Sequence, residues 1–503
     1  MSTSAPQPRI DMKEVAVPFA AIVLAMLPAV LDQTILATAL PTIAVDLGRL
    51  ADVSWVVTAY VVAAAATTPL WGKLGDRHGR KRLLEIALAL FLTASAACGV
   101  AQSITMLIVS RTVQGVAAGG LMSLAFAAVG DLVSPRERAR FQGYITATFA
   151  VATIAGPLVG GVLVDHASWR WVFYVNLPLG LTALAGLRLR LPAPDAEHAP
   201  QPLDVIGAVL LATATSSLML ACIWGGDRYA WGSAPIVGLL AAAVLLGGAL
   251  VARERRAADP VVPLALLRTR TVAVVSVGLF LTTAALFAVN VFVPLFLQAT
   301  TRATPTQAGL LLVPMMIGIT VSTNLAGRVI ARTGRYKAFP VAGLATMTAA
   351  LVFLAVVAGH PSRTTTAIGL TAFGLGFGVV GQVLIVAVQN EVDRRQIGVA
   401  MAATTFFRGL GGAIGAAALG AVFAARAGAT GDGLHMLGSA ARTDVIDAVQ
   451  TVFVVAAPIA ALAMVVVLFL RERPLESQQR DGGGGGQAAG DKVPGRQPKA
   501  VTS

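Results

Sequence analysis

Uncharged apolar runs recur along the whole chain, separated by short polar stretches rich in arginine. A helix needs about 20 apolar residues to cross the ~30 Å hydrocarbon layer. The runs predict spanning helices over 15–39, 53–72, 83–102, 105–130, 141–164, 170–187, 203–224, 234–252, 271–297, 306–330, 338–358, 364–388, 398–425 and 446–470. Spanning strands would instead alternate polar and apolar residues in pieces of about ten, a pattern this sequence lacks. The expected fold class is an all-α polytopic membrane protein with fourteen transmembrane helices.

Composition agrees: 56% of residues are hydrophobic and 13% charged, with a mean hydropathy of +0.76, whereas soluble domains carry about 25% charge. The net charge of +13 raises the question of a nucleic-acid partner, and its distribution answers it. The two tails and the connections after even-numbered spans hold 29 of the 38 basic residues; the alternate connections hold seven. Under the positive-inside rule both termini are cytoplasmic. The excess is thus a topology signal and a contact for lipid headgroups, with no nucleic acid expected. The lead 1–14 is short and polar, and no cleavage pattern follows it, so the first helix is expected to stay uncleaved. The tail 474–503, with its glycine run, is expected to be disordered. Cys98 and Cys222 lie inside spans and read as small buried residues. All five histidines fall at or beyond helix ends, with no metal-spaced or nucleophile cluster, so neither an enzyme nor a metal site is expected. A G-x-x-x-x-G-K-[ST] phosphate loop is also lacking, which disfavours an ATP-driven pump.

A repeat divides the chain. "GKLGDRHGRKR" (Gly72 to Arg82) and "GRVIARTGRYK" (Gly327 to Lys337) superpose at a constant offset of 255 residues. Gly72 meets Gly327, Arg77 meets Arg332, Gly79 meets Gly334 and Arg80 meets Arg335. Both copies join the second and third helices of a six-helix block. The expected organisation is a six-helix bundle at 15–190, an inserted helix pair at 203–252 and a second six-helix bundle at 271–470.

The first loop resembles the G-x-x-x-D-R-x-G-R-[RK] signature of the major facilitator superfamily. "LDQTILATALP" (31–41), "RTVQGVAAGG" (111–120), "GPLVGG" (156–161), "WRWVFYVNLPLG" (169–180) and "RGLGGAIGAAALG" (408–420) resemble its fourteen-span drug:proton antiporter branch. The likeness extends to actinobacterial self-resistance exporters, those for puromycin among them, although no residue selects that cargo. One departure is visible: Ala331 stands where the first loop has Asp76. The resemblance implies a major facilitator fold working as a monomer in the bacterial cytoplasmic membrane. It further implies drug:proton antiport, with the proton gradient as energy source and no cofactor.

The residues themselves suggest chemistry. Asp32 sits half-way along the first helix, where a charge costs about 2.5–3.5 kcal/mol. An apolar pocket there favours the neutral carboxyl, so a proton can be held and exchanged against a cargo. Arg111 leads a face with Gly115 and Gly119 at i+4 and i+8, beside Gln114. The resemblance gives this arginine a part in proton transfer; a purely architectural arginine is the alternative. Arg408 precedes Gly412 and Gly415 and reads mainly as structural. Gly156, Pro157, Gly160 and Gly161 form a kinked, close-packing stretch that the resemblance associates with antiport. In the 72–82 loop, Gly72 permits close helix contact and Gly79 a sharp turn. Asp76 can cap a helix or pair with an arginine, while Arg77, Arg80, Lys81 and Arg82 are expected at the headgroups, the loop acting as a cytoplasmic gate. Trp55, Phe126, Phe149 and Phe287 are candidates for an aromatic cavity wall. The favoured expectation is export of an amphipathic small molecule, a cationic one included, that confers resistance. A nutrient or osmolyte importer, or a non-transporting membrane scaffold, are the alternatives.

Overall fold

Helices account for nearly all of the computed structural model, which describes residues 12–47, 50–133, 135–191, 204–226, 228–257, 260–261, 264–301, 312–359, 362–393, 396–426 and 442–472. The tail 474–503, most of the lead 1–14 and the start of the tenth predicted span lie outside the described residues. The first half comprises α1 (Met12–Leu47), α2 (Leu50–His78), α3 (Arg80–Gly99), α4 (Ile104–Leu132), α5 (Pro135–His166), α6 (Trp171–Tyr174) and α7 (Asn176–Arg190). An inserted pair follows, α8 (Val205–Trp224) and α9 (Ala234–Glu254), then the short α10 (Leu264–Arg268). The second half comprises α11 (Arg270–Thr301), α12 (Val313–Thr333), α13 (Ala338–Val357), α14 (Arg363–Glu391), α15 (Ile397–Arg426) and α16 (Arg442–Leu468). Fourteen spans among the described residues are long and apolar enough to cross a membrane, α6 and α7 counting as one. The sixth span is therefore broken at Val175, so that Asn176 opens a new helix.

Local chemistry explains several boundaries. Ser103 caps α4 by accepting the Met106 N–H at 3.2 Å, and Asp204 caps α8 through the Gly207 N–H at 3.0 Å, each satisfying a donor that the helix leaves free. Gly79 (φ 88°) turns the chain from α2 into α3, and Gly334 (φ 70°) turns it from α12 into α13. The two members of the sequence repeat thus share a positive φ, which favours glycine.

In the first half α1 packs on α4, α5 and α7, and α4 on α2 and α3. In the second half α14 packs on α12 and α13, and α11 on α15 and α16. The halves meet along two seams, α2 against α15 and α5 against α12. Glycines make both close. A Cβ on Gly72 would collide with Ala402 and the Gly398 carbonyl, and one on Gly327 with the Ala139 carbonyl. The inserted helix α8 lies against α9, α2 and α15, and so rests along one of these seams. Trp55 of α2 meets Trp224 of α8 edge to face, ring centroids 4.9 Å apart. Trp55 thus fastens the insert rather than lining a cavity, and Phe126, 1% exposed, is part of the core.

Candidate functional site

The α2–α4 contact sets the geometry around Arg111. Gly115 abuts the Tyr60 carbonyl and Gly119 the Ala64 carbonyl, so the backbones approach closely and the side chain one turn earlier is trapped between them. The Arg111 guanidinium lies over the Tyr60 ring, 4.2 Å from its centroid, and donates from Nε to the Val56 carbonyl at 3.2 Å. Its Nη1 donates to Asp32 Oδ2 at 2.5 Å and to Gln114 Oε1 at 2.8 Å.

Asp32 receives more than this one donor. Gln114 Nε2 reaches its Oδ1 at 2.9 Å, and Asn176 Nδ2 reaches the same oxygen at 3.2 Å. Asn176 and Gln114 also donate to Ser95 Oγ, at 3.0 and 3.3 Å. Ser95 Oγ donates to the Phe173 carbonyl at 2.9 Å, and the Cys98 Sγ lies 3.6 Å from Gln114 Oε1. Asp32, Arg111, Gln114, Ser95, Cys98 and Asn176 are all at most 1% exposed. This corrects the expectation of an apolar pocket around Asp32. The carboxylate sits in a closed polar network drawn from α1, α3, α4 and α7, in which a buried charge is tolerable because it is paired and hydrogen-bonded. The partners Tyr60, Ser95 and Asn176 were not singled out from the sequence, and Cys98 was read there only as a small buried residue, which it also is. Polar side chains in the middle of apolar runs were the signal available for Ser95 and Asn176.

The glycine motif of α5 faces this region from the other side of α1. A Cβ on Gly156 would strike Thr34, and one on Gly160 would strike Thr38 and the Ile35 carbonyl. Both lie on one face, as their spacing predicts, and bring α5 onto the helix that carries Asp32. Pro157 is on the exposed side, and Gly161 has open space about it.

A second cluster closes one end of the bundle, the end bearing the basic connections. Asp76 accepts the N–H groups of Gly398 (2.9 Å) and Val399 (2.8 Å) at the start of α15, across the seam between halves. Arg80 donates to Asp76 Oδ1 at 2.8 Å and pairs with Asp131. Arg138 donates to the Gln389 carbonyl at 2.6 Å, and Gln389 Nε2 donates back across the seam to the Phe126 carbonyl at 3.0 Å. The headgroup role expected for this loop is therefore corrected at two positions. Arg80 turns inward because two carboxylates draw it there, and Lys81 donates to the Leu191 and Arg188 carbonyls, at 2.6 and 3.0 Å. Arg77 is half-buried with Nε and Nη1 lacking a partner. In the second half, where Ala331 replaces the acid, Glu472 instead accepts the Tyr336 and Lys337 N–H groups at 2.7 and 3.2 Å, within its own half. Arg408 lies apart from both clusters, half-buried on α15.

Two helical bundles joined by glycine seams, with one end bolted by ionic contacts and a buried ion pair in the first bundle, define a membrane transporter rather than an enzyme. The chain belongs to the Major Facilitator Superfamily, whose family model matches residues 22–416. It is 37% identical over 479 residues to an uncharacterised MFS-type transporter of Mycobacterium tuberculosis, covering 91% of this chain and 69% of that one. It is 33% identical over 407 residues to the multidrug transporter protein MdtP of Bacillus subtilis, covering 81% and 75%. The human organic anion transporter MFSD10 shares the fold, with a TM-score of 0.65 at 18% identity, covering 92% of this chain and 100% of that one.

Proposed function

We propose that this transporter exports an amphipathic small molecule from the bacterial cytoplasm in exchange for protons. The observation that carries the reading is the pair Asp32–Arg111, each at most 1% exposed at 2.5 Å. Among the described residues, Asp32 is the one carboxylate more than two turns from a helix end or connection. An ionisable group at that depth is costly and marks a functional site by default. A proton delivered to Asp32 cancels its charge and releases Arg111, which then keeps only the Val56 carbonyl and Gln114 as acceptors. The ion pair is thus a two-state element that proton loading can bias. Names of relatives, multidrug transporters among them, support export over import.

The positive-inside pattern puts the basic end in the cytoplasm. On that assignment the Asp76 and Arg138 contacts close the cytoplasmic side, as alternating access requires of one state in its cycle. Export requires these contacts to break and reform as the halves rock. One proton moving down 100 mV yields about 2.3 kcal/mol, enough for about a 50-fold gradient of a neutral cargo.

The test is transport into everted membrane vesicles. A proton gradient should drive accumulation of an amphipathic dye, an uncoupler should abolish it, and ATP should not replace the gradient. Uncoupler-insensitive or ATP-dependent accumulation would overturn the reading.

A further inference from the structure

The polar side chains of the two halves are used differently. In the first half one set closes on itself around Asp32, although Gln142 of α5 is buried with both amide atoms unpartnered. In the second, among the described residues, Arg408 is left without a partner, and so is the buried Ser276 near its depth. The first eight residues of α15, Ile397 to Thr404, are all buried where the helix crosses the seam beside α2 and α4. From Thr405 onward the helix opens, and Thr405, Phe406, Phe407 and Arg408 are half-buried. Arg408 therefore stands directly above the sealed end, about 16 Å along the helix from its start at 1.5 Å per residue.

Its direction follows from the glycines that share its face. Gly411, Gly412 and Gly415 pack on Phe280, Thr283, Ala284 and Phe287 of α11, and Arg408 lies one turn earlier on that same face, toward α11. The two helices run parallel, so one turn before Phe280 brings Ser276 to the level of Arg408. Ser276 is 3% exposed, and its Oγ has no hydrogen-bond partner. Among the described residues nothing accepts a hydrogen bond from Arg408, yet none of its nitrogens is sealed away.

The charge balance points the same way. Among the described residues, every charged side chain other than Asp32, Arg111 and Arg408 lies in a connection or within two turns of a helix end. Asp32 and Arg111 neutralise one another, so Arg408 leaves the bundle interior with one uncompensated positive charge. A guanidinium is always charged and cannot escape by losing a proton. Its rigid fork of donors matches a carboxylate or a sulfonate in two parallel hydrogen bonds. We infer that Arg408, with Ser276 beside it, binds an anionic group of the cargo, so that the transported class is amphipathic organic anions, carboxylates foremost. Phe406 and Phe407, edge to face at 5.5 Å, flank the site with apolar surface for the rest of such a molecule. The inference rests on the proposed transport function, and it replaces the cationic cargo allowed from sequence with an anionic one.

The experiment uses the full chain in lipid nanodiscs with three fluorescent probes: 1-pyrenebutyrate, its uncharged methyl ester and the cation ethidium, with empty nanodiscs as the partition control. Wild type should bind the carboxylate at least about tenfold more tightly than the ester, the scale expected of a charge-assisted pair. Arg408→Gln should erase that preference while ester binding persists, which also reports that the variant is folded. Arg408→Lys should keep part of the preference, and Ser276→Ala should reduce it. These two variants carry the test if Arg408→Gln fails to fold. Tighter binding of ethidium than of the carboxylate, or an unchanged preference in Arg408→Gln, would overturn the inference. Vesicle transport separates it from the proposed function. A carboxylate preference without proton-driven movement refutes proton coupling alone, whereas proton-driven ethidium export without a carboxylate preference refutes the anion site alone.

Discussion

Asp76, near the end of α2, accepts the backbone N–H of Gly398 at 2.9 Å across 322 positions of the chain. The bond places a negative charge at the N-terminus of a helix from the opposite half, where free N–H groups and the helix dipole both favour an anion. Because Val399 donates as well and Arg80 fixes the carboxylate, the contact acts as a latch. Hydrogen bonds to a charged group are worth about 1.5–3 kcal/mol. Asp76→Asn should therefore move the balance away from the latched conformation by roughly 10- to 100-fold. Spin labels at His78 and Asp393 should report a longer distance in the variant than in wild type. Equal distance distributions would remove Asp76 from gating.

The same seam depends on an absent side chain. A Cβ on Gly72 would overlap both Ala402 and the Gly398 carbonyl, neither of which can move without moving α15. Gly72→Val should hold the basic end apart and stop transport at normal membrane abundance. Gly161→Ala is the control, since nothing lies within 4 Å of the added carbon. It should transport within about twofold of wild type, as surface changes usually cost under about 0.5 kcal/mol. Vesicle uptake measured on both variants checks the pair.

The span pattern was legible because crossing a hydrocarbon layer imposes length and apolarity on every segment. The repeat was legible too: Gly79 and Gly334 share positive φ, and Gly72 and Gly327 each serve a seam between halves. The Asp32 network was only partly readable. Asp32 and Arg111 stood out as charges in apolar runs, but which polar residues would meet them depends on how four helices pack, and helical periodicity says nothing about that. Arg80 shows the same gap. A run of basic residues beside a span reads as a headgroup contact until packing brings Asp76 and Asp131 within reach. The Asp204–Arg253 pair was invisible for a related reason, its members being 49 residues apart and joined only by the antiparallel insert.

That pair predicts a pH dependence for the insert. The Gly207 N–H, followed by the Arg253 guanidinium, holds the Asp204 carboxyl below the usual carboxylate range. A carboxyl more acidic when folded than when unfolded stabilises the fold above its ordinary pKa of about 3.9. That contribution fades as pH falls through the lower folded value. Hydrogen exchange in the first turn of α8 should accordingly gain protection loss below about pH 4, beyond the intrinsic pH effect. Asp204→Ala should show comparably weak protection at neutral pH and no such further loss on acidification. An identical acid profile in wild type and variant would refute the assignment.

The buried pair allows a sharper test of proton coupling than a single substitution. Asp32→Asn removes one charge of a pair that is almost completely buried, and an unpaired buried charge typically costs about 3–5 kcal/mol. Loss of function in that variant alone would not separate coupling from folding. Arg111→Gln, which strands the carboxylate, should destabilise similarly. In Asp32→Asn/Arg111→Gln the network around these two positions is neutral again, and the apparent unfolding temperature should recover most of the loss, as expected of two residues in direct contact. Uncoupler-sensitive transport should stay absent in the double variant, because no carboxyl remains there to take up and release a proton. Recovery of both stability and gradient-driven transport would show that the pair is scaffolding and that protons travel elsewhere.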